Sequence, residues 1–316
     1  MEKSNYSITV SALKKSYHDK CILKDVNFSV PSGIIYTLLG SNGAGKTTTI
    51  RILTTQIKAD DGEVKIEGYD ILKNPRKVHE VISLTGQFSA VDGSLTGKEN
   101  LVIIGKLRHI LNPEEKADEL LKYFGLSNTA TRIVSTYSGG MRRKLDIAMS
   151  LVGNPKVIFL DEPTTGLDPQ SRHNMWSIIR ELNRSGITIF LTTQYLEEAE
   201  QLADRIGILD NGTIIAEGTT TQLKNYLPQG AVQFVFDDNQ ILKKAELLIK
   251  SYKTSSVPEE NKIIVFTDGK INTLAQIFHT FYEHKITLQN FSELTPTLED
   301  VFLSIIAERE EKSHGN

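Results

Sequence analysis

The chain holds one cysteine and one tryptophan in 316 residues. Cys21 alone cannot close an intrachain disulfide, which excludes the small disulfide-stapled folds of secreted proteins. Long apolar runs are missing too. The richest stretches, "IIYTLL" and "VIFL", fall far short of the ~20 residues that span a bilayer as a helix, so any membrane role is expected to be peripheral. Neither sign of charge dominates: 36 Lys and Arg stand against 39 Asp and Glu, for a formal net charge of -3. That balance gives no reason to expect a nucleic-acid-binding surface, although a local basic patch is compatible with a neutral total, and nucleic acid is not expected as a partner. The opening "MEKSNYSITV" lacks the charged-then-apolar pattern of a secretory signal, so the cytosol is the expected compartment. No internal repeat is visible, and only the tail after Arg309 is of low complexity.

What is present is ample material for a core, 39% hydrophobic residues with 24% charged. The length suits two domains. Up to about residue 85 the pattern is strand-rich: "YSITVSALKKSY", "KDVNFSV", "GIIYTLLG", "GEVKIEGYD" and "ISLTG", divided by Gly and Asp. From about 94 to 152 apolar residues recur at helical spacing, as in "GKENLVIIGKLRHI", "PEEKADELLKYFGL" and "GGMRRKLDIAMSLVG". "KVIFLDE" and "ITIFLTTQ" then flank the helix-like "PQSRHNMWSIIRELNRS", the pattern of a right-handed strand, helix, strand unit. "IGILDNGTIIAEG" is a hairpin signal around Asn211-Gly212. The α/β core is expected over residues 1–226, with a helical insertion at about 88–152. Residues 227–316 read strand, helix, two strands, helix, strand, which predicts a small ferredoxin-like α+β domain. A last helix is announced in "TPTLEDVFL" by a cap at Thr295 or Thr297, the latter with Asp300 three residues on.

"GSNGAGKT", residues 40–47, follows a predicted strand and opens a predicted helix. That context identifies a phosphate-binding loop. Gly40, Ser41, Asn42, Gly43, Ala44, Gly45, Lys46, Thr47 and Thr48 form the expected nucleotide-binding set. Backbone N–H groups turn toward phosphate oxygens, Lys46 neutralises phosphate charge, and the Thr47 hydroxyl can join a Mg²⁺ shell. ATP with Mg²⁺ is the expected ligand pair. "VIFLDEP", residues 157–163, is a buried strand ending in two carboxylates. Alternation along a strand predicts that Asp161 and Glu162 do not share one environment. Asp161 suits the metal, and Glu162 suits a base that orients or deprotonates the attacking water. In "YSGGMRRKLDIA", Ser138 is a candidate N-cap, with the N–H groups of Gly139 and Gly140 as a second anion site. Gln194 is expected at the carboxyl end of a strand, where open parallel sheets bind ligands.

A phosphate loop, then S-G-G, then D-E-P and "GLDP", in this order and spacing, resembles the nucleotide-binding subunit of an ABC transporter over roughly residues 5 to 220. The resemblance implies a P-loop ABC ATPase domain with a mixed sheet core, an antiparallel β subdomain and a helical subdomain. It also implies that Ser138, Gly139 and Gly140 hold the γ-phosphate of a nucleotide on the opposite subunit of a head-to-tail homodimer, with Asp168 at the dimer seam. Gln87 would touch Mg²⁺ and water, Tyr17 would stack on adenine, and Gln194 would contact the γ-phosphate. The implied partner is a separate membrane permease, with the chain at the cytoplasmic face of the membrane.

Two features depart from the family pattern. The signature usually begins with Leu and ends with Gln, where this chain has Tyr137 and Met141, and most relatives carry His where Gln194 stands. "LTGQFSAVDGSLTGKENL", "YSGGMRRKLDIA", "LTTQYLEEAE" and "TPTLEDVFL" together resemble the daunorubicin-resistance-type, ABC-2 exporter subgroup, whose members share that glutamine. The subgroup implies ATP-driven export of a hydrophobic drug or lipid-like cargo. An importer ATPase with a regulatory C-terminal domain, or a soluble ATPase of the same superfamily, are the alternatives; one cassette, one cysteine and no sustained heptads weigh against the latter.

Overall fold

The computed structural model describes residues 6–86, 90–226, 230–294 and 296–305. Contacts divide the chain into two compact units, Met1–Thr220 and Thr221–Asn316. The first begins with β1 (Tyr6–Tyr17), β2 (Lys20–Pro31), β3 (Ile35–Leu39), α1 (Lys46–Leu53), β4 (Asp61–Ile66) and β5 (Tyr69–Asp70). Then come α2 (Pro75–Val81), β6 (Ile82–Thr85), α3 (Gly97–Leu107), α4 (Pro113–Tyr123) and α5 (Gly139–Leu151). It closes with β7 (Val157–Asp161), α6 (Pro169–Arg184), β8 (Thr188–Thr193), α7 (Leu196–Leu202), β9 (Arg205–Asp210) and β10 (Thr213–Gly218), with α8 (Thr220–Lys224) at the boundary. Helix α2 breaks the otherwise strand-rich start. Pro75 at its first position, where no N–H is needed, begins a helix that the strand-like punctuation around it conceals.

One sheet is antiparallel, in the order β2-β1-β4-β5; the other runs β10-β9-β3-β8-β7-β6. In the second, β9, β3, β8, β7 and β6 are parallel and β10 pairs antiparallel at the edge. Strands covered on both faces read as continuous apolar runs, and alternation deals their side chains to two cores. Val157, Phe159, Phe190, Tyr36 and Leu38 pack with α1 and the antiparallel sheet. Ile158, Leu160, Ile189, Leu191 and Ile35 pack with residues of α3, α4, α5 and α6. The parallel sheet is therefore sandwiched, with the phosphate-loop helix on one face and the helical region on the other. Because its parallel strands point one way, the carboxyl ends of β3, β7 and β8 meet along one edge of the sheet.

The second unit consists of β11 (Ala231–Phe236), α9 (Asn239–Leu248), β12 (Lys253–Val257), β13 (Lys262–Phe266), α10 (Ile271–Glu283) and β14 (Leu288–Leu294). Its antiparallel sheet is ordered β12-β13-β11-β14, the ferredoxin-like arrangement expected from the element order. Val232, Phe234, Phe236, Ile263 and Val265 form its core with Ile277 and Phe281 of α10. A further helix over 298–305 starts from a capping box: Thr297 N–H donates to Asp300 Oδ2 at 2.9 Å and Asp300 N–H to Thr297 Oγ1 at 3.2 Å. Thr295 and the tail after Arg309 lie outside the described residues.

Candidate active site

After β3 the chain turns through residues 40–45 and enters α1. Gly45 takes φ 114°, and a Cβ there would stand 2.6 Å from the Leu23 side chain, so the tight loop needs a glycine at that point. Ser41, Asn42 and Gly43 are exposed, while Thr47 and Thr48 are half-buried at the start of α1. The helix N-terminus adds its unpaired N–H groups and the positive end of its dipole to the same place. Lys46 is buried. Its Nζ donates to Gly40 O at 2.8 Å and Ser41 O at 3.1 Å and lies 3.4 Å from Glu162 Oε1.

Asp161 ends β7 facing α1. Its Oδ1 accepts from Thr192 Oγ1 at 2.6 Å and from Thr47 Oγ1 at 3.4 Å. The expectation that Asp161 and Glu162 occupy different environments is corrected here. Strand alternation stops at Asp161, because Glu162 adopts φ 49°, a left-handed backbone that swings its carboxylate back toward Lys46. Thr165 Oγ1 donates to Glu162 Oε2 at 3.2 Å. Both carboxylates thus border the phosphate loop, one beside Thr47 and one beside Lys46. Two adjacent oxygens, Thr47 Oγ1 and Asp161 Oδ1, fit Mg²⁺, which takes few protein ligands and fills its shell with water and phosphate.

Gln194 follows β8 directly and is half-buried. The preceding residue touches the loop, since Gly40 N–H donates to Thr193 O at 3.2 Å. Tyr17 closes β1 at 42% exposure. Its hairpin partner strand β2 supplies the Leu23 that packs on Gly45, with Lys15 paired to Leu23 and Tyr17 to Lys20. Lys15 Nζ lies over the Tyr17 ring, 5.5 Å from its centroid. Gln87 lies outside the described residues.

Ser138 caps α5, its Oγ accepting from Met141 N–H at 3.2 Å. A Cβ on Gly140 would come within 2.9 Å of Ser171 Oγ, which accounts for glycine at that position. Ser171 is in turn held by Asp168, the N-cap of α6, through its N–H at 2.9 Å and its hydroxyl at 2.6 Å. Those bonds hold the exposed Asp168 carboxyl below its usual range. Asp168 and the S-G-G turn are one surface cluster. It is borne on helices of the sheet face opposite α1.

Four site-bordering residues escaped the sequence reading. Thr192 ties Asp161 to β8 and accepts from Glu162 N–H at 3.2 Å. Arg143 and Asp146 of α5 form a buried pair at 3.2 Å; burial pulls the guanidinium pKa down and Asp146 opposes that. Glu198 of α7 is fully buried and accepts from Trp176 Nε1 at 3.1 Å. Burial raises its carboxyl pKa against the hydrogen bonds of Thr193, Thr164 and Trp176. The only sequence signal for Arg143 and Asp146 was a pair of charges three apart on a helix, which is usually a solvated face.

A phosphate loop opening a helix, with a lysine, a threonine and two carboxylates converging at the carboxyl ends of parallel strands, defines a P-loop ATPase. An ABC transporter domain matches residues 23–165. The daunorubicin/doxorubicin resistance ATP-binding protein DrrA of Streptomyces peucetius is 41% identical over 95% of this chain and 92% of its own length. The linearmycin resistance ATP-binding protein LnrL of Bacillus subtilis (strain 168) is 35% identical over 93% of this chain and 96% of its own. Among solved structures, a nucleotide-free ATP-binding cassette from an ABC transporter superposes with a TM-score of 0.64 at 30% identity, over 70% of this chain and 94% of that one. The chain belongs to the ATP-binding proteins of ABC transporters, and its relatives include drug-resistance proteins.

Proposed function

We propose that the chain hydrolyses ATP as a homodimer that drives a separate ABC-2-type permease, exporting a hydrophobic drug or lipid-like cargo from the cytoplasmic face of the membrane. The observation that carries the dimer is the split of the site between two faces of one sheet. Lys46, Thr47, Asp161 and Glu162 meet around the phosphate loop, whereas Ser138, Gly139 and Gly140 head a helix packed on the other face. A nucleotide on the loop needs its second anion site from another copy.

Within one site, Lys46 neutralises the β- and γ-phosphates and Glu162 accepts the proton of the attacking water. Mg²⁺ held by Thr47, Asp161 and Gln87 would supply further charge neutralisation. Gln194 donates its amide to the γ-phosphate, and Tyr17 stacks on adenine. Residues 1–226 form the ATP-binding domain, and 227–316 serve as an accessory domain. The chain's part in export is supported by relatives named for resistance to daunorubicin, doxorubicin and linearmycin. Among the described residues no helix is long and apolar enough to cross a membrane.

Light scattering of Glu162→Gln protein tests the arrangement. A mass that doubles on adding ATP with Mg²⁺ supports it; a monomer at nucleotide saturation overturns the shared site. Purification from native membranes in mild detergent tests the permease, and recovery without any integral membrane protein counts against it.

A further inference from the structure

We propose that Arg143 is a positioning residue for Glu162, holding its backbone in the conformation that aims the carboxylate at the phosphate loop. The inference rests on the reading of Glu162 as the residue that activates water. Arg143 Nε donates to Pro163 O at 2.9 Å and Nη2 to Asp161 O at 3.4 Å. Those two carbonyls flank Glu162 on either side. Nη1 donates to Gly86 O at 2.8 Å, at the end of β6, and meets Asp146 Oδ2 at 3.2 Å.

Glu162 needs such a hold. A glutamate at φ 49° sits in a sparsely populated region that costs free energy and persists only where its surroundings over-determine it. From the β8 side, its N–H is held by Thr192 O at 3.1 Å and Thr192 Oγ1 at 3.2 Å. From the α5 side, Arg143 holds the carbonyls of the residues before and after it, Asp161 and Pro163. Arginine suits the task because its planar fork carries five N–H donors in fixed directions, enough for three carbonyls and a carboxylate at once. Lysine would bring one rotating point charge. Asp146 compensates the buried charge, so the hold survives without water. The same helix begins at Ser138, so the anion site on α5 and the catalytic carboxylate share one rigid connection.

A plain structural role would have Arg143 only fasten α5 to the sheet. Double-mutant analysis of hydrolysis separates the two. Single-turnover rates and nucleotide Kd would be measured for Arg143→Lys and for the apolar replacement Arg143→Met with Asp146→Leu, each alone and combined with Glu162→Gln. The apolar pair removes the buried charges together, a change cores often tolerate, and a thermal melt checks that it folds. Expected is a fall in rate of roughly tenfold to a hundredfold with ATP Kd nearly unchanged, as displacement of a catalytic group by about 1 Å brings, and no further fall in the Glu162→Gln background. Equal fold losses in both backgrounds, or full turnover in folded Arg143→Lys and apolar-pair proteins, overturn the proposal while leaving the role of Glu162 standing. Full turnover in Glu162→Gln alone overturns the reading of Glu162 and the proposal with it.

Discussion

Lys46 Nζ lies 3.4 Å from Glu162 Oε1, with side chains only 4% and 9% exposed. In the proposed roles, the cation that neutralises phosphate and the carboxylate that activates water are neighbours, and the Lys46 charge would be divided between Glu162 and incoming phosphate. Glu162→Gln keeps the shape and removes the competing negative charge. Turnover should fall on the order of a hundredfold or more, with ATP bound as tightly as in wild type or more tightly. Phosphate release and a fluorescent-nucleotide titration read the two quantities, and weakened binding with near-normal turnover would contradict both assignments.

Thr192→Val should raise the Mg²⁺ requirement. The hydroxyl is the 2.6 Å donor to Asp161 Oδ1, and valine preserves its volume, while Glu162 N–H keeps the Thr192 carbonyl at 3.1 Å. A hydrogen bond to a charged group contributes about 1.5–3 kcal/mol, so the half-saturating Mg²⁺ concentration should rise by roughly tenfold or more. Superimposable Mg²⁺ titrations would show that Thr192 does not orient Asp161.

At Gln194 the amide nitrogen is a neutral donor with no proton to exchange between pH 5 and 8. In the proposed role, Gln194→Ala would remove one preorganised contact to the transition state, typically ~3 kcal/mol, and turnover should drop roughly a hundredfold. Gln194→His should retain substantial activity and acquire pH dependence near the imidazole pKa of ~6.5. Permease-stimulated hydrolysis across pH distinguishes these outcomes; an alanine variant at wild-type turnover would mean that the amide does not act on phosphate.

Glu198→Gln should stabilise the first unit increasingly as pH rises. Burial raises the folded carboxyl's pKa. Below the unfolded value of about 4.3 both states are protonated and the stability is fully present. Above it the unfolded chain ionises while the folded one resists, so wild-type stability declines as pH climbs through the folded pKa. Glutamine mimics the neutral acid and abolishes that decline. Melting curves from pH 4 to pH 8 should diverge in favour of the variant, each 1 kcal/mol appearing as about 2–4 °C. A constant offset across pH would place the effect elsewhere.

A chain ending at Tyr226 should still bind nucleotide, because the contacts around the phosphate loop all lie within Met1–Thr220. Loss of binding with a native-like far-UV spectrum would refute a purely accessory role for the second unit.

The phosphate loop, the strand ending in Asp161-Glu162 and the Ser138 cap were legible in the sequence because each is a local device. A glycine at positive φ, a hydroxyl at a helix start and a continuous apolar strand need only near neighbours. So was the ferredoxin-like order of the second unit, since element succession restricts the topologies of a small sheet. The single sequence could not place Glu162 beside Lys46. Alternation along β7 predicted that the two carboxylates would part, and the turn at φ 49° that brings Glu162 back is held by Thr192 from β8 and contacted through its flanking carbonyls by Arg143 from α5. Those contacts join residues 18 to 30 positions apart. Residue type and spacing fixed which groups are available for chemistry. Only the packing of α5 and β8 against the end of β7 decided where the Glu162 carboxylate points, because a backbone conformation that is unfavourable by itself is selected by the tertiary contacts that surround it.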